Sequence, residues 1–224
     1  MSSTPAPILV SSRNPEEYRA FFALTSADLA CRVLDCSAGA AGFAAAVNAA
    51  GGDVTAVDPV YSDLDALRLE VERSAADGVA IIDAHDSRFT WGWYGSRERR
   101  QALRDDARSA FLADLAAHPE TYVVGGLPAL PFDDDAFDLA LCSHLLFTWA
   151  DVFDAEWHRA ALRELLRVAP EVRVFPLVRQ GAGEPVEFLP ALLEELRTEG
   201  RTAEVRKVGY EFQIGADEML VLRR

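Results

Sequence analysis

Lysine is nearly absent from this chain. Lys207 is the only one among 22 basic residues, so a mechanism through a lysine Schiff base has a single candidate and nothing else in its favour. Cysteine is scarce: Cys31, Cys36 and Cys142 form no CxxC pair and leave one thiol over. That argues against a disulfide scaffold or a cysteine-rich zinc site and suits a reducing cytoplasm. No apolar run nears the roughly 18–20 residues of a membrane helix. The opening MSSTPAPILVSS has neither the basic start nor the long apolar stretch of a secretion signal, so no leader is expected. Basic charge is also short, with 22 basic against 36 acidic residues and a net charge of −14. Nucleic-acid binders carry the opposite footprint, and anionic membranes repel such a chain. The 4 histidines show neither HxxxH nor HxH spacing, so no metal is expected. The oligomeric state leaves no mark in the sequence.

What is present suits one α/β domain over 224 residues. Short β runs alternate with helical runs, which points to a largely parallel sheet with helices on both faces. Residues 1–30 read as a helical cover, with Asn14 capping a helix that Pro15 opens and Tyr18, Phe21 and Phe22 make apolar. RVLDC (32–36) and DVTAV (53–57) read as the first two strands. A small-residue helix lies between them, stopped by Gly51 and Gly52. Ser62 is the expected cap of the next helix, to about residue 76. Residues 78–119 exceed a minimal βαβ repeat and read as an insertion, with an aromatic loop (FTWGWYG, 89–95) and a helix from about 96 to 117. Later strands are expected at 122–125, 137–142, 171–176, 203–210 and 218–222. Asp154 caps one further helix and Gly200 ends another, and a short turn at 213–217 joins the last two strands.

The most informative stretch is VLDCSAGAAG (33–42), a strand ending in an acid, then small residues, then a helix. Small residues let a ligand approach the backbone, and a helix start offers unpaired N–H groups. Asp58 ends the second strand, where an acid can accept both hydroxyls of a ribose. A nucleoside-bearing cofactor follows. The dinucleotide fingerprint G-x-G-x-x-G is degraded here to Ser37, Gly39 and Gly42. Asp35 suits a cationic amino group better than a pyrophosphate, which favours an amino-acid nucleoside over NAD.

LDCSAGAAGF resembles the first motif of class I S-adenosylmethionine-dependent methyltransferases, TAVDP the second, and LPALPFDDDAFDLALCSHLLF the segment entering their fourth strand. The likeness runs from about Glu16 to the C-terminus. More narrowly, EEYRAFFALTSADL, SHLLFTW, ALRELLRVAPEVRVFPL and YEFQIGADEML resemble a bacterial subgroup of that family without an assigned substrate. The resemblance implies a seven-stranded, mostly parallel Rossmann-like sheet of order 3-2-1-4-5-7-6 with the last strand reversed, and S-adenosylmethionine as cofactor. It implies that Asp35, Ser37 and Gly39 border the methionine part, that Asp58 binds the ribose, and that Pro59 lies beside the adenine. Ser143 would line the pocket. Where many relatives have an acid for the adenine amine, this chain reads Gly125-Gly126-Leu127, which leaves adenine to backbone groups near Leu127.

The expected activity is methyl transfer to a small molecule in the cytoplasm, with His144 as base after the fourth strand. The bland alternatives are that His144 packs locally, Asp35 caps a helix and Asp58 faces solvent. His85-Asp86 is a weaker base pair, and His118 and His158 read as surface or packing residues. The aromatic loop is either a lid or a segment pinned to the core. Arg97, Arg100, Arg104 and Arg108 share one helix face, which more often means a solvated stripe than an anion site. Two rival functions stand beside methyl transfer: binding of the cofactor or its demethylated product without turnover, and an NAD-dependent oxidoreductase. A third rival, docking of a partner through the aromatic loop, requires that loop to be exposed.

Overall fold

The computed structural model describes residues 9–181 and 183–224. Its strands are β1 (Arg32–Cys36), β2 (Asp53–Val57), β3 (Tyr122–Val123), β4 (Leu139–Ser143), β5 (Glu171–Phe175), β6 (Thr202–Lys207) and β7 (Glu218–Arg223). They form a seven-stranded sheet in the order β3-β2-β1-β4-β5-β7-β6. The first five are mutually parallel, and β7 runs antiparallel to both β5 and β6. This is the Rossmann-like sheet, with its reversed last strand, that the resemblance implied. All five residues of β4 are buried, as a central parallel strand covered on both faces requires.

The two-residue period of the strands sorts side chains into two cores. Val33, Leu139 and Leu141 join Tyr18, Phe43 and Phe111 on one face. Leu34, Ala140 and Cys142 join Leu162, Leu165 and Leu196 on the other. The first face is covered by α1 (Pro15–Phe21), α2 (Phe43–Ala49), α3 (Leu64–Ala84) and α4 (Arg97–Ala117), the second by α5 (Ala155–Val168) and α6 (Leu189–Thr198).

Several boundaries follow the sequence closely. Asn14 accepts from Glu16 N–H, and Glu17 accepts in return from Asn14 N–H (2.6 Å), fixing the entry to α1. Asp154 caps α5, and Gly200 follows α6 with φ +85°. Other boundaries differ: β3 stops at Val123 instead of 125 and β6 at Lys207 instead of 210. The cap of α3 is Asp63, which accepts from Asp65 and Ala66 N–H, and the helix runs past Gly78 to Ala84. A mid-helix glycine costs only about 1 kcal/mol, and burial of Ile82 together with the Arg73 pairs to Glu70 and Asp77 offsets it. The β6–β7 connection is no short turn. It spans 208–217 and folds back on the aromatic loop, where Thr90 N–H donates to Phe212 O (2.7 Å) and Ile214 N–H to Arg88 O (3.0 Å).

Candidate functional site

A cavity of about 990 Å³ opens at the carboxyl ends of the strands. Ser37, Gly39, Asp58, Pro59 and Leu127 line it, and so do Ser143 and His144 from the end of β4. Open parallel sheets present their ligand crevice at this edge, because the loops between strand and helix diverge there.

The loop after β1 turns through two left-handed residues, Ser37 (φ +60°) and Gly39 (φ +57°). Serine therefore holds a glycine-like conformation, stabilised by Ser37 N–H donating to Val57 O (2.8 Å). Gly39 N–H donates to Asp58 Oδ2 (3.0 Å), and Tyr61 Oη donates to Gly39 O (2.8 Å). The N–H groups expected to be free at the start of α2 are not all free. Ala40 N–H donates to Ser11 O and Gly42 N–H to Arg13 O, so the 11–13 segment is laced onto the loop.

Asp58 is nearly buried, and burial raises its carboxyl above the usual range. Each oxygen accepts one backbone N–H, from Gly39 and from Val60 (3.0 Å), which leaves lone pairs for further donors. A Cβ on Gly126 would lie 2.8 Å from Pro59 Cγ, so this glycine lets the 125–127 segment close against Pro59.

Asp35 differs from its expected position. It is fully buried and does not line the cavity. Tyr18 Oη donates to its Oδ1 (3.0 Å), while Oδ2 has no partner among the described residues. Burial pushes this carboxyl up to about 8, so it is largely protonated at neutral pH.

His144 follows β4 with φ +57°, its N–H donating to Phe175 O (2.7 Å) and its ring edge-on to Phe21 and Phe175. Ser143 Oγ and His144 Nδ1 share a hydrogen bond of 2.8 Å. Burial, then Arg13 and Arg104, hold the imidazole well below its ordinary pKa and therefore neutral. Of the other histidines, His158 packs, His118 lies away from the cavity, and His85 lines the cavity at an exposed position. His158 is buried, Nε2 accepting from Phe147 N–H (2.9 Å). His118 is exposed at the end of α4. His85 is exposed, and Asp86 pairs with Arg97 instead.

The arginine stripe of α4 is not the solvated face that its spacing suggests. Arg100, Arg104 and Arg108 line the cavity, together with Arg13. Arg104 bonds the fully buried Glu17 (2.7 Å), and Arg13 lies 4.0 Å from the same carboxylate. Tyr94 Oη also donates to Glu17, and Tyr210 Oη lies 2.8 Å from Tyr94 Oη. These contacts hold Glu17 ionised despite its burial. Arg13, Glu17 and Tyr210 carried no periodic pattern that marked them; the first two lie four residues apart at the entry to α1, and Tyr210 comes from the other end of the chain. The aromatic loop is pinned rather than free: Tyr94 is buried, and Phe89 and Trp91 pack on Phe212 while Trp93 packs on Tyr210.

No known family profile matches the sequence. The uncharacterized protein MJ0045 of Methanocaldococcus jannaschii is 27% identical over 217 residues, covering 95% of this chain and 94% of its own length. Among solved structures, the chain is similar to a Burkholderia thailandensis 1,6-didemethyltoxoflavin-N1-methyltransferase with S-adenosylhomocysteine bound. Identity is 15%, TM-score 0.46, with 87% of this chain and 71% of that one covered. It is also similar to the magnesium protoporphyrin IX methyltransferase of Synechocystis PCC 6803, at 13% identity and TM-score 0.48, covering 89% and 73%. A SAM-dependent methyltransferase from Aquifex aeolicus matches at 14% identity and TM-score 0.45, covering 93% and 88%.

Proposed function

We propose that this chain is an S-adenosylmethionine-dependent methyltransferase acting on a small molecule. The observation that carries the reading is one cavity at the strand ends, lined by the loop after β1, by Asp58 and Pro59 and by Ser143 and His144. The residues present fit the cofactor. Asp58 keeps acceptor capacity for two ribose hydroxyls, and Pro59 and Leu127 offer walls for adenine. Ser37 and Gly39 would border the methionine part.

When bound, the cofactor supplies a methyl group on a sulfonium, already an excellent leaving centre. The chain's own task is then to align the acceptor and exclude water. His144 would accept a proton at Nε2 from an acceptor O–H or N–H, in the neutral tautomer whose Nδ1–H donates to Ser143 Oγ. The cavity runs on to Arg100 and Phe212, and its volume favours turnover over a protein that only stores the cofactor.

Calorimetric titration of S-adenosylmethionine and S-adenosylhomocysteine tests the reading, with NADH as control. Micromolar binding of either ligand is expected, weakened at least tenfold in Asp58→Ala, since a hydrogen bond to a charged group contributes about 1.5–3 kcal/mol. Failure of both to bind the intact protein, or binding of NADH in their place, overturns it.

A further inference from the structure

Three guanidinium groups that line the cavity, those of Arg13, Arg100 and Arg104, gather around the buried carboxylate of Glu17. Arg104 is paired with Glu17, and Arg13 lies at the edge of the same pair. Arg100 has no ion-pair or hydrogen-bond partner among the described residues, and the Nε atoms of Arg13, Arg100 and Arg104 are all buried and unpartnered. The hydroxyls of Tyr94 and Tyr210 stay protonated in this setting. Around Glu17 the count is thus three positive charges against one negative. Charges drawn out of water without partners are costly, and a cavity wall that holds them is built for an anion. The Arg100 guanidinium carbon lies over the Phe212 ring, 4.8 Å from its centroid, and 5.9 Å from that of Tyr94. With rings rather than acceptors beside it, its N–H groups remain to donate. That fork matches the two oxygens of a carboxylate or phosphate.

On the methyl-transfer reading, we propose that the methyl acceptor carries an oxyanion, carboxylate or phosphate, received by Arg100 with Arg13 and Arg104, its apolar body lying against Phe175 and Phe212. An oxyanion here also favours proton uptake at His144, because it offsets Arg13 and Arg104, which add to burial in holding the ring neutral.

Benzoate and phenyl phosphate are the probes, titrated by calorimetry at fixed ionic strength against a chloride control, with and without saturating S-adenosylhomocysteine. At least one probe is expected to bind in the presence of S-adenosylhomocysteine, and the tighter of the two names the acceptor's anion. Arg100→Gln is expected to weaken that probe at least tenfold while S-adenosylhomocysteine affinity holds, which also reports a folded variant. If Arg100→Gln does not fold, Arg13→Gln takes its place with the same expectation. Displacement of the probes by S-adenosylhomocysteine overturns the proposal, since the arginines then hold the cofactor's own carboxylate. So does probe binding no stronger than chloride, or binding indifferent to the arginine variants. Arginine-dependent probe binding in a protein that takes neither form of the cofactor keeps the oxyanion site and overturns the methyl-transfer reading alone.

Discussion

Burial raises the carboxyl of Asp35 to about 8, against the hydrogen bond from Tyr18, which lowers it. In the unfolded chain the same group titrates near about 3.9. Between those values the folded state holds a proton that the unfolded state has lost, so stability falls as pH rises through that window and levels off above it. The penalty at pH 7 is on the order of 4 kcal/mol. Asp35→Asn removes it. Its melting temperature is expected to exceed that of the parent at pH 8 and to converge toward it near pH 4. A difference that stays constant across that range would show that Asp35 is ionised in the fold. The sequence marks Asp35 as an acid at a strand end, but not its depth. Depth depends on Tyr18 and on the 11–13 segment laid over the loop. Asp58 was more legible, because the carboxyl end of a strand next to a ligand loop leaves an acid few other places to go.

At the scale of elements, α1 and α4 are joined by a buried ion pair between Glu17 and Arg104. Glu17→Ala leaves Arg104 and Arg13 without a countercharge, and a loss of about 3–5 kcal/mol is expected, read as a lower urea midpoint at unchanged slope. Combining Glu17→Gln with Arg104→Met is expected to cost less than either single change. A single-variant cost under about 1 kcal/mol would mean that water reaches the pair. The periodicity of α4 was readable, with Ala107, Phe111 and Leu115 on the core side. Which way the arginine flank faced was not. A helical wheel orders residues around an axis but does not say that one flank borders a cavity, and the deciding acid lies 87 residues away. The α5 boundaries were legible because Asp154 supplies an unambiguous cap. The end of α3 was not, because tertiary burial of Ile82 outweighed the local cost of Gly78.

For the whole molecule, two fields of opposite sign act on an anionic ligand. The net charge of −14 repels it at a distance, while the arginines attract it on arrival. Raising ionic strength from about 20 to 200 mM cuts the screening length to under about 10 Å, which suppresses the distant field more than the buried one. The association rate of phenyl phosphate is therefore expected to rise with salt, followed by stopped-flow fluorescence of Trp149 in the cavity wall. A falling rate would mean that the local arginine field governs approach. A largely parallel sheet covered on both faces was legible from alternating strand and helix patterns, because parallel strands need crossovers; the order of its strands was legible only through the family resemblance. The cavity walls were not, because segments 9–13 and 208–217 carry no periodicity that fixes where they lie.

The position of β7 between β5 and β6 has a consequence for synthesis on the ribosome. β6 is made before β7, yet among the described residues it pairs with β7 alone. Until β7 emerges, β6 has no place to dock, and Tyr210 in the connection between them cannot reach Tyr94. Glu17 and Arg104, made much earlier, can pair by then. A nascent chain halted within the 208–217 connection would therefore hold the helical cover and five strands while lacking one wall of the cavity, and ligand-dependent protease resistance would appear only once β7 had been added.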